Sequence, residues 1–150
     1  MSGPITDIEA LVESIDIDGI EVYEIVARGV AREDEGFEDR SAISGAVRHE
    51  RGFLWIRFVY KFEATAGEYS VDIAARYVLS QETHIDQAVI IEFAERVAFM
   101  TVYPFIRETV FSMASRLGHP APILGLVKQG DFSLQQGEDP RDLSADEPSA

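Results

Sequence analysis

Two neighbouring segments of alternating polarity constrain the fold of this chain more than any other feature. Residues 53–64 alternate apolar and mixed positions, and residues 69–80 do so again after the turn Ala66-Gly67-Glu68. A period of two residues is typical of a β-strand with one buried face. The predicted core faces are Leu54, Ile56, Phe58, Tyr60 and Phe62 in the first segment and Tyr69, Val71, Ile73, Ala75, Tyr77 and Leu79 in the second. The short connection predicts antiparallel pairing.

The remaining strands come from the residues before this pair. Residues 20–31 are rich in β-branched side chains, and residues 41–50 form a weaker strand in which Gly45 is a candidate bulge. We therefore expect four strands within residues 20–80. Trp55 and Val59 fall together on the face that should be solvated, where they form an apolar spot.

Helical patterns lie on both sides of the predicted sheet. Thr6-Asp7-Ile8-Glu9 has the form of a capping box, which predicts a short helix over 6–15. After Ile85 the apolar period becomes helical, and two helices are predicted over 86–99 and 104–117. Strands followed by helices indicate an α+β fold, a four-stranded antiparallel sheet with two helices packed on one face.

The segment TVYPFIRETVFSMASRLGHP, residues 101–120, places a proline inside a helical pattern. Because proline costs about 3 kcal/mol in a helix interior and nothing in the first turn, Pro104 is predicted to begin a helix. A kink between the two helical segments is the alternative. Gly118 is placed to cap the helix, and Pro120 and Pro122 prevent its continuation.

Two aromatic residues of this helix lie away from its apolar stripe. Counted from Ile106 at 100° per residue, Phe111 lies about 140° away and Phe105 about 100° away on the other side. One helix cannot bury both against one sheet. The other helix, a second subunit or a bound ligand must cover Phe105 or Phe111.

Composition and charge exclude several classes of function. The 150 residues carry a net charge of −14, so we expect no nucleic-acid partner. They include no cysteine, so we expect a reducing, cytoplasmic location. No apolar stretch reaches the ~20 residues of a membrane span, and the first ten residues lack the features of a secretory signal. We predict a single domain over 1–134 and a disordered acidic tail over 135–150.

Motifs of catalysis are missing from the sequence. It contains neither G-x-x-x-x-G-K-[ST] nor G-x-G-x-x-G, so no phosphate-binding loop is predicted, and no serine lies in G-x-S-x-G. His49, His84 and His119 lack metal-ligand spacing; we interpret them as surface or loop residues, with a zinc site formed in space as the alternative. We expect no enzyme activity, no cofactor and no metal.

The stretch around Pro104 resembles the SecB family of bacterial export chaperones. The family's aromatic-Pro-aromatic-x-Arg-Glu run reads Tyr103-Pro104-Phe105-Ile106-Arg107-Glu108, and its Arg-Gly-x-x-Pro turn reads Arg116-Leu117-Gly118-His119-Pro120. An apolar loop from Ala121 to Val127 follows. The glycine is one residue late, and the family's Pro-x-Asn-Phe after the loop is replaced by Leu126-Val127-Lys128-Gln129. The N-terminal helix and the form of the first run look more like SecB-like chaperones that stabilise antitoxins.

The resemblance implies a non-catalytic, ATP-independent chaperone that binds unfolded polypeptides in apolar grooves. It implies a homo-oligomer, a dimer of dimers, with the export motor SecA or an antitoxin as a further partner. The expected client-binding residues are Trp55, Val59, Phe111, Pro122, Ile123, Leu124 and Leu126. The expected motif and oligomer residues are Tyr103, Pro104, Phe105, Arg107 and Glu108; for Arg107 and Glu108 we expect salt bridges to other elements or subunits. The alternative is a dedicated protein-partner adaptor without general holdase activity.

Overall fold

A computed structural model of the chain describes residues 3–32, 36–122 and 124. These residues form a short helix α1 (Ile8–Ser14), four strands and a helical layer. The strands are β1 (Ile15–Gly29), β2 (Arg40–Glu50), β3 (Phe53–Glu63) and β4 (Gly67–Leu79). The helical layer consists of α2 (Gln87–Phe93), a π-helical turn (Ala94–Ala98) and α3 (Phe99–Arg116). The predicted tail over 135–150 lies outside the described residues, and the single domain over 1–134 stays a prediction.

The four strands form one antiparallel sheet in the order β1-β4-β3-β2, so β1 and β2 are its edge strands. In the pairing of β3 with β4, Phe58 lies opposite Ile73 and Leu54 lies opposite Tyr77. Every residue predicted for the core faces of these two strands is buried. The predicted α+β fold with a four-stranded antiparallel sheet is confirmed.

Aromatic contacts join the helical layer to the core face of the sheet. The rings of Phe58 and Phe99 meet edge to face with their centroids 5.2 Å apart, and Tyr77 meets Phe93 in the same way at 5.0 Å. Such pairs contribute about 0.5–1.5 kcal/mol beyond the apolar area they bury. α3 packs against β4 and also contacts β1. The core therefore lies between the two central strands and the helical layer.

The two helices predicted over 86–99 and 104–117 are not separate in the structure. α2, the π-helical turn and α3 follow one another without a break, and Pro104 lies inside α3. The prediction that Pro104 begins a helix is wrong. Pro104 cannot donate a backbone hydrogen bond to the Met100 carbonyl, but both residues are exposed. The freed carbonyl therefore faces water, and the packed side of the helix is undisturbed.

The N-terminal helix is shorter than predicted. It spans Ile8–Ser14 rather than 6–15, and its N-cap is Asp7 rather than Thr6. The Asp7 carboxylate accepts a hydrogen bond from the Ala10 N–H at 2.8 Å, which satisfies one of the free donors of the first turn. The capping-box prediction therefore placed the helix correctly and its cap one residue too early.

Two predicted features of the strands are wrong. The first strand begins at Ile15 rather than at residue 20, because Ile15 and Ile17 pair with Leu79 and Tyr77 of β4. The alternation of isoleucine and aspartate over residues 15–18 therefore belongs to the strand. Gly45 pairs regularly with Phe58, and no register shift interrupts the pairing of β2 with β3.

A buried ion pair lies on the face of the sheet that points away from the helices, called the outer face below. Arg57 on β3 is only 2% exposed. Its Nε donates to Asp72 Oδ1 at 2.6 Å, and its Nη2 donates to Asp72 Oδ2. The guanidinium carbon lies 4.5 Å from the centre of the Tyr23 ring. The expectation of a solvated outer face is wrong at Arg57, because Tyr23 and Asp72 cover and pair its charge.

Replacing Arg57 with alanine leaves the Asp72 carboxylate without its cation in a poorly hydrated place. We expect the free energy of unfolding to fall by about 3 kcal/mol, as for other buried pairs that lose one partner. Urea denaturation measures this change. Arg28→Ala is the matched control, because Arg28 pairs with Glu68 but is itself exposed, and such pairs contribute less than about 1 kcal/mol. Equal losses of unfolding free energy in the two variants would contradict the assignment of Arg57 and Asp72 as a buried ion pair.

Candidate functional site

The end of α3 fixes the direction of the chain that follows it. Gly118 has a φ of 74°, which is the left-handed region that glycine tolerates without a steric cost. Its N–H donates to the Ser115 carbonyl at 3.0 Å, and the His119 N–H donates to the Ala114 carbonyl at 2.9 Å. The predicted helix stop at Gly118 is confirmed. Pro120 follows and cannot continue the helix.

A groove of about 470 Å³ lies between α3 and the residues after this stop, and it is called the α3 groove below. Its lining residues are Pro104, Arg107, Glu108 and Phe111 of α3 and Ala121, Pro122 and Leu124 of the following segment. The helical residues share one flank because they are spaced three, four and seven positions apart. Phe111 is 60% exposed, so its ring is available to a ligand.

The helical wall of the groove rests on a row of packed aromatic rings. Tyr103 is buried and packs against Phe99 at 5.4 Å and Tyr60 at 6.4 Å between ring centroids. The Arg107 guanidinium lies 5.9 Å from the centre of the Tyr103 ring. Burial raises the pKa of the Tyr103 hydroxyl, and the charge of Arg107 acts against this rise. The wall is therefore anchored in the core while Arg107 stays exposed.

Arg107 and Glu108 supply the charges of the groove. Both side chains are exposed, and within residues 3–32, 36–122 and 124 neither forms a salt bridge. The expected salt bridge to another element is thus not formed in this part of the chain. The alternative, a salt bridge to another subunit, stays a prediction. The groove combines apolar side chains with one charge of each sign.

The structure brings together three of the predicted client-binding residues and separates two others from them. Phe111, Pro122 and Leu124 line the α3 groove. Trp55 and Val59 lie on the outer face of the sheet instead, because they alternate with residues that face the helices. Ile123 and Leu126 lie outside the described residues.

Trp55 has its own neighbours on the outer face. Its ring centroid lies 5.3 Å from that of Phe53, and the Arg48 guanidinium lies 5.3 Å from the centre of the indole ring. Val59 lies between Ser44 of β2 and Asp72 of β4. Trp55 and Val59 therefore lie on the face predicted for them, opposite to α3, and the buried Arg57 lies between them along β3.

Phe105 is 50% exposed and does not line the α3 groove. It lies about 120° around the helix from Phe111. Both rings are exposed, so cover by the other helix, one of the three alternatives left open by the sequence, applies to neither ring. The two alternatives left for each ring are cover by a second subunit and cover by a bound ligand.

An apolar row on β1 was not predicted from the sequence. Ile17, Val22 and Ile25 pair with Tyr77, Ile73 and Val71 on the helical side of the sheet, yet each is about half exposed. Their β4 partners are buried under the helical layer, which contacts β1 but leaves these three side chains about half exposed. The alternation of these residues with acids was visible in the sequence, but the position of β1 at the sheet edge was not.

The described residues contain no helix that is long and apolar enough to cross a membrane. In the same part of the chain, no group of three histidine, cysteine or acidic side chains is arranged to hold a metal ion. His49 is half-buried, and burial lowers the pKa of its ring.

Comparison with known proteins connects this fold to one family. No family model matches the chain. The chain is 29% identical over 133 residues to the SecB-like chaperone SmegB of Mycolicibacterium smegmatis, which covers 89% of each chain. The resemblance to the SecB family that the sequence carries is confirmed, and this chain is SecB-like in its sequence.

A solved structure gives the same result for the fold. The Mycobacterium tuberculosis Rv1957 SecB-like chaperone, in complex with a ChAD peptide from the Rv1956 HigA1 antitoxin, superposes with a TM-score of 0.68. The match covers 81% of this chain and 95% of that chain at 18% identity. The α+β arrangement of sheet and helices is thus a SecB-like fold.

The buried tyrosines of the core make the stability of the chain sensitive to alkali. Burial raises the pKa of the Tyr60 hydroxyl to about 12, whereas tyrosine in an unfolded chain titrates near 10. The folded state therefore holds this proton more tightly than the unfolded state. Its contribution to stability is complete below pH 10 and is lost as the pH rises toward 12.

We expect the wild-type chain to lose about 2 kcal/mol more unfolding free energy between pH 9 and pH 12 than Tyr60→Phe does. Urea denaturation at each pH measures the difference. Identical pH profiles for the two proteins would show that the Tyr60 hydroxyl is not buried as described.

Proposed function

We propose that this chain is an ATP-independent molecular chaperone that binds unfolded or non-native polypeptides in the α3 groove. The observation that carries the proposal is the exposed ring of Phe111, which faces Pro122 and Leu124 across an open groove in a SecB-like fold. Exposed apolar surface of this kind marks interaction sites in soluble proteins. The chain works in the cytoplasm, and it performs no catalysis.

The chemistry of the groove suits a polypeptide better than a small metabolite. Its apolar residues offer contact area without a fixed set of polar groups, and adaptable surfaces of this kind accept many side chains. Arg107 and Glu108 at its side can pair with charges of either sign on a client. The sequence has no phosphate-binding loop, which supports a holding activity that does not depend on nucleotide hydrolysis.

Phe111→Ser tests the groove directly. Phe111 is mostly exposed, so its loss should change the free energy of unfolding little. Burying a phenyl ring contributes about 2 kcal/mol, so the affinity for an unfolded client should fall about thirtyfold. Fluorescence anisotropy with labelled, reduced and carboxymethylated lactalbumin measures the dissociation constant.

Phe105→Ser is the matched control for this experiment. Phe105 is the same residue type in the same helix with a similar exposure, but it lies outside the groove. We expect its client affinity to stay within about twofold of the wild-type value at a protein concentration at which native mass spectrometry shows the wild-type number of subunits. A client affinity that is unchanged in Phe111→Ser, or lowered equally in both variants, would contradict the groove assignment.

A dedicated adaptor is the second candidate function. The M. tuberculosis Rv1957 chaperone was solved with a segment of an antitoxin, and this favours a client of the antitoxin class for the present chain. An antitoxin gene beside its own gene, together with binding of that antitoxin but not of carboxymethylated lactalbumin, would establish the adaptor. Binding of the unfolded test protein together with SecA would favour the export role.

We propose further that the chain forms a homo-oligomer, a dimer of dimers. Among the described residues only β4 pairs with β1, so the other edge of β1 is open to a strand of a second subunit. The half-exposed row of Ile17, Val22 and Ile25 lies beside this edge, and open strands with apolar surface favour pairing. The exposed Phe105 supplies a second apolar contact on α3.

Val22→Lys together with Ile25→Lys should convert the oligomer to monomers. Two charges on the helical side of β1 would have to be buried at the subunit interface, and this cost exceeds what a single strand pairing contributes. Native mass spectrometry reads the number of subunits. Met100→Lys is a control on exposed apolar surface of α3. An unchanged oligomer in the double variant would exclude β1 as the interface.

A further inference from the structure

His119 lies where the chain leaves α3, and its ring packs against the edge strand β1. A Cβ atom built on Gly29, the last residue of β1, would lie 3.1 Å from Cε1 and 3.5 Å from Nε2 of His119. The first distance is shorter than an ordinary van der Waals contact. The ring therefore fits against bare backbone, and glycine at position 29 is what makes room for it.

The contact between His119 and Gly29 is one of shape. The Nδ1 atom of His119 is buried and has no hydrogen-bond partner among the described residues. A buried polar atom without a partner lowers stability, so hydrogen bonding at Nδ1 does not explain why the ring is held there. Packing against Gly29, together with the backbone bond from the His119 N–H to Ala114, accounts for its position.

The residues after His119 form one wall of the α3 groove. Pro120 and Pro122 fix two of the next three φ angles, and each restricts the residue before it to extended conformations. Ala121 and Pro122 line the groove, and Leu124 is buried in the core. The segment is therefore stiff, and a shift of His119 is transmitted to Ala121 and Pro122.

We propose that His119 is a positioning residue for the α3 groove. Its ring rests on Gly29 and fixes the angle at which residues 120–122 leave α3, and this angle sets the width of the groove. His119 does not line the groove itself, so it acts through Ala121 and Pro122. The role in client binding rests on the proposed function, whereas the placement of the wall by His119 does not.

Gly29→Ala and Gly19→Ala form a matched pair to test this role. Both glycines lie in β1, but a Cβ at Gly19 would meet only Arg76 Nη2, at an ordinary 3.9 Å. We expect Gly29→Ala to raise hydrogen–deuterium exchange at the amides of Gly118, His119 and Ala121 and to weaken binding of carboxymethylated lactalbumin about tenfold. Gly19→Ala should leave both measurements at the wild-type values.

Variants of His119 separate its shape from its polarity. His119→Phe fills similar space without a buried polar atom, so it should retain client affinity and raise Tm. His119→Ala should weaken binding like Gly29→Ala. In the double variant Gly29→Ala/His119→Ala the second change should add no further loss, because the tight contact between the added Cβ and the ring no longer exists. Independent, additive losses would overturn the proposed contact.

Hydrogen exchange distinguishes the failure of this proposal from that of the proposed function. Unchanged exchange in Gly29→Ala overturns the positioning role whatever the client data show. If Gly29→Ala raises exchange but leaves client affinity unchanged, while Phe111→Ser weakens client binding, the positioning role of His119 is also overturned. If the wild-type chain does not bind the unfolded protein but Gly29→Ala raises exchange, the chaperone function fails and the placement of the wall by His119 stands.

Discussion

A single helical layer in this chain has to cover a sheet that is wider than a helix. An α-helix with its side chains is about 10 Å across, whereas four strands spaced ~4.8 Å apart extend over about 14 Å between the outer backbones. α3 packs against β4 and contacts β1, but Ile17, Val22 and Ile25 on the helical side of β1 stay about half exposed. α3 also carries aromatic residues on both flanks. The uncovered surface at β1, Phe105 and Phe111 is the physical basis of the proposed assembly and of the proposed client binding.

The chain after α3 turns one of these uncovered flanks into a groove. Gly118 stops the helix, the prolines stiffen the next residues, and Leu124 returns to the core. The wall formed in this way stands opposite Phe111, so the ring is accessible but no longer on an open surface. The wall is held at both ends. At one end the His119 ring packs against β1, and at the other end Leu124 is buried in the core.

The features predicted correctly from the sequence are those that depend on a regular apolar period or on a residue with a special backbone conformation. The alternation over Leu54–Phe62 correctly predicted the core face of β3, and Gly118 correctly predicted where α3 ends. Pro104 was misplaced because the helical period does not show that an exposed proline can lie inside a helix whose packed side is intact. The start of β1 was missed because aspartates in an edge strand resemble a helix end.

The candidate site was predicted only in part, for a similar reason. The helical period showed that Phe111 leaves the apolar stripe, and the resemblance to SecB pointed to Pro122 and Leu124. The alternation had already placed Trp55 on the face away from the core. Neither signal showed that α3 and the following segment line the groove without the sheet, so Trp55 was grouped with residues from which the sheet separates it. The contact of His119 with Gly29 joins positions ninety residues apart, and no local pattern in the sequence indicates it.

The most direct test of this account is to locate a bound client by photo-crosslinking. A benzoylphenylalanine placed at position 111, 105 or 55 reports which of three surfaces an unfolded polypeptide touches. The groove account predicts efficient crosslinks to carboxymethylated lactalbumin from position 111 and only background crosslinks from positions 105 and 55. Crosslinks concentrated at position 55, on the outer face of the sheet, would contradict it.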